Sequence, residues 1–443
     1  MRILTSPWRT RRTLVASVAL LAGAALALTG CSSGSVTGNS SGSSGSRTSI
    51  TVWHNYTGNT AVEAQNLVND FNKSQDKYTV SLQFSASSDQ FDAKLINALK
   101  NNAGPQMVLA DSTPQGFGTV VSTGKVVPLD PYLSDSSSTI SRSDFTDAML
   151  ATGTFNKKLY SIPTDVGNFA VVYNKQMFHD AGITSTPTTW AELAADATKL
   201  TKGTTQYGAY LPIGTGEWPV FTWQAMLWSA GGEFLNSDNT QALFGSDAGV
   251  KALTAWTDMV KNGSAYPQSL SSPSDDQGLG ALTSKKAAMM ITGAYNLNTL
   301  DTALGKSNVG VFALPGVVKP GMNLGTNNSY ILKGTSTQEA ASWAFLEWWL
   351  QPSTQAKWDI ATGYFPANQR TTNDATYKKF LNDNPRIKVF VSQLSYARAR
   401  PSISQYAEIS AALSTQIEKA MLQQESPAQA LTTAQSQANT ILQ

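Results

Sequence analysis

The sequence predicts an α/β protein built as two lobes, each a sheet flanked by helices. Between Ile50 and Ala110, short β-rich runs alternate with helical patterns, the signature of a parallel sheet covered by helices. The stretch from Ile50 to Gln443 is long for one core and is expected to divide. Two further strands, Lys158 to Ile162 and Ala170 to Asn174, flank the polar loop Pro163-Thr164-Asp165-Val166-Gly167-Asn168, through which the chain can cross between lobes.

Composition narrows the function classes. Hydrophobic residues make up 41% and charged residues 14%, as in a packed globule. Lys+Arg 32 against Asp+Glu 30 leaves +2, with no basic footprint for nucleic acid. The two histidines, His54 and His179, are far apart and belong to no His-Glu-x-x-His helix, so no metal and no cofactor are expected. The single cysteine, Cys31, leaves no disulfide.

In chain order, Arg2, Arg9, Arg11 and Arg12 precede an apolar run from Leu14 to Leu28, which reads as a signal peptide over residues 1–30. Leu28-Thr29-Gly30-Cys31 resembles the bacterial lipobox, whose cysteine receives diacylglycerol and becomes the new N-terminus. The export route stays open, with a faint twin-arginine pattern at Arg11-Arg12. Residues 31–49, almost wholly Ser, Gly, Thr and Asn after the cysteine, read as a flexible tether spanning on the order of 20–25 Å.

The folded part opens with strand Ile50 to Trp53 and a helix through Val62, Leu67, Val68 and Phe71, then strand Tyr78 to Phe84. A helix through Phe91, Leu95 and Leu99 leads over Gly104-Pro105 to strand Met107 to Ala110. Short strands of such sheets deliver their following loops to one edge, where ligands bind, so Trp53-His54-Asn55-Tyr56 and Asp111-Ser112-Thr113 are expected to lie close together. Thr189-Trp190-Ala191-Glu192 is a capping box opening a helix to Leu200, and a strand follows near Tyr207 to Leu211. Glu217 to Trp223 leads into a helix ending near Gly231-Gly232, and another helix runs from Asp247 to Lys261. Strands are predicted at Ala287 to Thr292, Val309 to Ala313 and Tyr330 to Leu332. Beyond Thr337 the chain is mostly helical, and Ser426-Pro427-Ala428-Gln429 caps the last helix.

No phosphate loop fits Gly305-Lys306-Ser307, because Leu300 stands where the first glycine is needed. Gly214-Thr215-Gly216 and Gly278-Leu279-Gly280 lack the third glycine of a dinucleotide fingerprint. An enzyme of the glycosidase type would need a carboxylate pair about 5–9.5 Å apart, which Asp111, Asp165 and Glu217 could supply, yet no motif picks out a nucleophile. An adhesive surface lipoprotein is a third class, disfavoured by the absence of repeats.

The order of Trp53-His54, Gly104-Pro105 before Met107 to Asp111, Tyr160-Ser161-Ile162-Pro163, Val172-Tyr173-Asn174-Lys175, Ala287 to Gly293 and Thr362-Gly363-Tyr364-Phe365-Pro366 resembles the extracellular solute-binding proteins of ABC importers, in their large carbohydrate-binding group. The resemblance spans Ile50 to Gln443 and implies a two-lobed periplasmic-binding-protein-like fold with crossover hinge segments and a ligand buried between lobes. Residues 50–163 with 316–351 then form the N-terminal lobe, and 164–315 with 352–443 the C-terminal lobe. It further implies a monomer on the extracellular face of the cytoplasmic membrane, lipid-anchored through Cys31, whose partners are a small carbohydrate and the permease subunits of the importer.

Residue by residue, Glu217 with Phe221-Thr222-Trp223 resembles the aromatic-bearing segment of the maltose-binding members, and Gly293-Ala294-Tyr295 falls on their main stacking aromatic. Trp218 and Tyr295 are therefore the expected platforms, since an aromatic face packs on the C–H face of a pyranose. The glycerol-3-phosphate-binding members share Trp53-His54, the Tyr364 segment and a C-terminal arginine that either Arg398 or Arg400 could match. Three of their other contacts fall on Phe91, Ser112 and Gly167, departures that weigh against phosphate esters. Asp111, Asp165, Glu217 and either Asn327 or Asn328 lie in predicted loops where acceptors for sugar hydroxyls are useful. The expected ligand-binding set is Trp53, His54, Asp111, Ser112, Asp165, Glu217, Trp218, Gly293, Tyr295, Thr326, Asn327, Tyr364, Arg398 and Arg400. Trp343, Trp348, Trp349 and Trp358 sit at helical spacing and are assigned to the core.

Overall fold

The computed structural model describes residues 47–86, 88–112, 116–214, 216–266 and 274–443. Two sheets organise them. The first has five strands, in the order Tyr78–Phe84, Thr48–His54, Met107–Ser112, Gly325–Ile331, Ile162–Gly167. Its first three strands are parallel, as the alternation of runs and helices predicts, and Gly325–Ile331 is inserted antiparallel to both its neighbours. The second has four, in the order Val309–Phe312, Phe169–Asn174, Ala287–Gly293, Tyr207–Tyr210. Its strands pair antiparallel except the last two.

The second sheet is buried on both faces. Every residue of Ala287–Gly293 is buried, and successive residues divide between two cores: Phe169, Val171, Met289 and Ile291 enter one, Ala170, Val172 and Met290 the other. Helix Glu217–Ser229 crosses the first of these cores and is buried from Pro219 onward, which its apolar composition on all sides requires. It starts where Gly216 takes a φ of +112°, a conformation open to glycine. Local signals hold at other helix starts, where Thr189 accepts from the Glu192 amide at 3.2 Å and Ser426 from the Gln429 amide at 3.3 Å.

Three boundaries differ from expectation. The polar loop Pro163 to Asn168 is not a loop: Ile162–Gly167 is the outermost strand of the first sheet, paired to Gly325–Ser329 with a register shift beside Pro163. A proline is tolerated there because an outermost strand lacks a second partner for its missing N–H. Asn168 alone then carries the chain into the second sheet, fixed by its Nδ2 donating to the Phe390 carbonyl at 2.8 Å. The first strand begins at Thr48, inside the expected tether, with Arg47 paired to Asp76 at 2.8 Å. Helix Pro352–Thr362, placed with the C-terminal lobe by sequence, packs instead on helix Gly58–Ser74: Lys357 pairs with Asp70 at 3.3 Å, and Asn59 donates to the Ala361 carbonyl at 3.2 Å. Among the described residues, no helix is long and apolar enough to cross a membrane.

Candidate functional site

Where the chain crosses between sheets it leaves a cavity of about 460 Å³, within the range of small-molecule sites. Asp165, Gly167 and Asn168 come from the crossing itself, Gly325, Thr326 and Asn327 from the inserted strand, and Gly363, Tyr364 and Phe365 from the turn after helix Pro352–Thr362. Glu217, Trp218 and Phe221 come from the buried helix, Ala294 and Tyr295 from the end of strand Ala287–Gly293, and Arg400 from the segment after Ala397–Arg398. An antiparallel bridge of Val166 to Phe365, with N–H···O distances of 3.0 and 2.8 Å, ties the Tyr364 turn to the crossing strand.

Aromatic faces are held by different means. Tyr295 is 48% exposed and rides on a turn of 3₁₀ helix. Its ring folds back over Gly293, where an added Cβ would stand 2.2 Å from Cε1, so Gly293 serves the site through Tyr295. Trp218 is half-buried against the edge of Phe169 and beside Phe221, with centroids at 5.7 and 5.9 Å. Tyr364 lies parallel to the buried Trp358, 6.3 Å between centroids and 6° between planes.

One polar wall is an ion pair. Arg400 Nη1 donates to Glu217 Oε1 at 2.5 Å, with side chains only 7% and 17% exposed. The Tyr406 hydroxyl donates to the same oxygen at 2.8 Å, and the Ser410 hydroxyl to Oε2. The guanidinium lies over the Phe221 ring, 4.7 Å from its centroid. Gln224 continues the network, donating to Tyr406 Oη at 3.1 Å and accepting from Asn323 at 2.8 Å.

The other polar wall has carboxyls with no cation beside them among the described residues. Asp165 is fully buried and accepts from the Tyr56 hydroxyl and, at 2.7 Å, from Asn327 Nδ2. Burial raises its pKa to about 7, against the opposing effect of those hydrogen bonds. Behind it Asp359, also 0% exposed, is pushed well above the usual carboxylate range by burial and by Asp165, and neither of its oxygens has a hydrogen-bond partner among the described residues. Asp165 borders the cavity at 0% exposure, and Asn327, which donates to it, is partly exposed there.

The structure therefore brings Asp165, Glu217, Trp218, Tyr295, Thr326, Asn327, Tyr364 and Arg400 to one cavity. Asn328, the alternative to Asn327, faces the other way and donates to Thr152 and Ser161. Three expected residues are elsewhere. Trp53 packs with Phe91 in a separate core, its indole donating to Gln83 at 3.2 Å. His54 is 5% exposed between Tyr56 and Phe84, and burial lowers its pKa to about 4. Arg398 pairs with Glu233 and lies over Trp228 in a second hollow. Cys31 lies outside the described residues, as do the side chains of Asp111 and Ser112, whose backbones pair with Asn328 and Asn327. Sequence reasoning missed Phe221 as a cavity residue, and Tyr56, Tyr406 and Ser410 as its supports. For the last two, the only signal is an i, i+4 hydroxyl pair on one helix face.

A relative of known structure shares this architecture. The crystal structure of a cyclic α-maltosyl-1,6-maltose-binding protein from Arthrobacter globiformis superposes with a TM-score of 0.79 at 26% identity, covering 90% of this chain and 99% of that one. A provisionally named binding protein of Brucella abortus is 29% identical over 325 residues, 73% of this chain and 76% of its own length. The sn-glycerol-3-phosphate-binding periplasmic protein of Yersinia pestis is 22% identical over 361 residues, 78% of this chain and 80% of its own. The family model for bacterial extracellular solute-binding proteins matches residues 66–386, and the chain belongs to that family.

Proposed function

We propose that the protein captures a neutral mono- or oligosaccharide between its lobes and delivers it to the permease of an ABC importer, anchored on the extracellular face of the membrane through a lipid on Cys31. The observation that carries the ligand class is the charge inventory of the cavity. Among the described lining residues Arg400 is the one cation, Glu217 already faces it at 2.5 Å, and Asp165 adds a second carboxyl. Such a wall offers acceptors and donors to hydroxyls but no net positive charge to a phosphate ester. Three aromatics around that wall supply faces for a ring's C–H bonds. The Arthrobacter relative, whose name states an oligosaccharide ligand, supports the same reading.

A hydrolytic role fits these carboxyls poorly. Glu217 is held by a guanidinium and two hydroxyls, and Asp165 is held by Tyr56 and Asn327 with no exposed surface of its own, so neither stands where it can reach a glycosidic oxygen. The hinge in this reading is the Asn168 crossing together with the strand entering at Gly325, with the five-stranded sheet in one lobe and the four-stranded sheet in the other.

Thermal shift against neutral mono- and oligosaccharides, sn-glycerol-3-phosphate and glycerophosphodiesters tests the ligand class. A cognate sugar at a hundredfold excess over Kd stabilises by about 2.7 kcal/mol. A response to phosphate esters alone makes the protein a glycerophosphate binder, the reading favoured by the Yersinia relative's name. Cys31→Ala is expected to release the protein into the medium, and membrane fractionation unchanged from the parent defeats the anchor.

A further inference from the structure

Glu217 is well placed to bind a sugar hydroxyl, yet its carboxylate is already engaged. Oε1 takes Arg400 Nη1 and the Tyr406 hydroxyl, and Oε2 takes the Ser410 hydroxyl. These donors come from two places, the segment after Arg398 and the helix Tyr406–Met421, and converge on the first residue of the buried helix. Arg400 also lies over the Phe221 and Tyr406 rings, 4.7 and 5.9 Å from their centroids. A guanidinium so placed on a cavity wall is the natural seat for an anion.

We infer that Glu217 is the specificity-determining residue of the cleft: it occupies the Arg400 guanidinium and thereby lowers the cavity's affinity for phosphate esters and other anions. The inference rests on the neutral-ligand reading and gives it a mechanism. An incoming phosphate must either displace a carboxylate held by three donors or sit beside it, and sitting beside it places like charges within a few ångströms on a wall where both side chains of the pair are largely buried. Selectivity then comes from a repulsive group as much as from attractive contacts. Tyr406 and Ser410 are positioning residues in this scheme, because they keep the carboxylate turned toward Arg400.

The test compares sn-glycerol-3-phosphate and inorganic phosphate titrated by calorimetry into the parent, Glu217→Gln and the double variant Glu217→Gln/Arg400→Gln. The amide keeps the shape and removes the charge. Glu217→Gln is expected to bind the phosphate ester roughly tenfold to a hundredfold tighter than the parent, the size of one charge-assisted contact, with the gain shrinking as salt rises. The double variant is expected to lose the gain. An amide variant that melts like the parent and shows no rise overturns the inference. If it melts low, Ser410→Ala is read instead: freeing Oε2 is expected to raise phosphate-ester affinity severalfold, and no rise there overturns the inference equally. Failure of the sugar reading is a separate result, seen as a parent protein that prefers phosphate esters to every neutral sugar whatever Glu217→Gln does.

Discussion

The cavity holds its carboxyl groups in two contrasting ways on its two polar walls. Glu217 has a guanidinium against it and two hydroxyl donors, so its charge is matched at contact distance. Among the described residues the donors to Asp165, with Tyr56 and Asn327 foremost, are neutral, and a second buried carboxyl, Asp359, lies behind it. The first arrangement keeps a charge in place by pairing it. The second leaves a charge that burial opposes, and so a group that changes state near neutrality. One wall is therefore expected to respond to loss of its partner, and the other to pH.

Removing the partner has the largest effect. Arg400→Ala strands Glu217 beside a half-closed cavity and is expected to destabilise the ligand-free protein by about 3 kcal/mol, near the low end for breaking a buried pair because Glu217 keeps some exposure. Chemical denaturation measures it. A cost below about 1 kcal/mol would reduce the pair to a surface-like contact and collapse the contrast between the walls. The aromatics rank next. Tyr295→Ala and Trp218→Ala are each expected to weaken sugar binding by ~1.5–3 kcal/mol in calorimetry. Only Trp218→Ala is also expected to lower the melting temperature of the free protein, since Trp218 packs on Phe169 and Phe221 whereas Tyr295 is 48% exposed. Parental affinity in both variants would move the binding site away from this cavity.

The titratable wall gives a smaller signal whose sign is fixed. Asp165 has a folded-state pKa raised from 3.8 to about 7. Its contribution to stability is therefore fully present below about pH 4 and is lost as pH rises through about 7. Ligand affinity is expected to run the opposite way. Protonation replaces an acceptor of the Tyr56 and Asn327 hydrogen bonds with a donor, loosening the amide that faces the cavity, so affinity falls severalfold between about pH 8 and 5.5. Asp165→Asn is expected to flatten that profile, and a profile unchanged in this variant assigns the titration elsewhere.

How far this site was legible in the sequence depends on the range of the forces that build it. Capping boxes at Thr189 and Ser426 and the apolar strand Ala287–Gly293 follow from local chemistry, and they stand where the pattern puts them. The strands that carry Asp165 and Asn327 read Ile-Pro-Thr-Asp-Val-Gly and Gly-Thr-Asn-Asn-Ser-Tyr-Ile, poor strand formers apart from their ends. They are strands because they pair with each other and Gly325–Ile331 pairs on its other side with Met107–Ser112, a tertiary effect that overrides propensity. Arg398 and Arg400, two residues apart, would share a face of a continuous strand, but the strand stops at Arg398 and only Arg400 turns to Glu217. The sequence pattern ends the first strand at Trp53 and sends His54 into the loop at the sheet edge, yet the strand runs on through His54, and both side chains pack under neighbouring aromatics.

Asp359 sharpens the contrast with the smallest expected change, and nothing in the surrounding Lys357-Trp358-Asp359-Ile360 marks it as buried. Its oxygens find no partner among the described residues, and the carboxyl and phenol around it, Asp165 and Tyr377, bring no positive charge. With its pKa raised by burial first and by Asp165 second, the folded state binds this proton more tightly than the unfolded chain does. The stability that protonation lends is thus complete below about pH 4 and drains away as pH rises. Asp359→Asn removes the titration but leaves a buried amide that must still find partners, so the net gain at pH 7.5 is expected to be only about 1 kcal/mol. The gain is expected to shrink as pH falls and to turn into a deficit toward pH 4, where the unfolded aspartate is protonated as well. Melting temperatures of parent and variant across that range decide it. A variant whose deficit is largest at pH 7.5 and shrinks toward pH 4 would mean that Asp359 is ionised and paired, and would make this wall a second version of the Glu217 wall rather than its opposite.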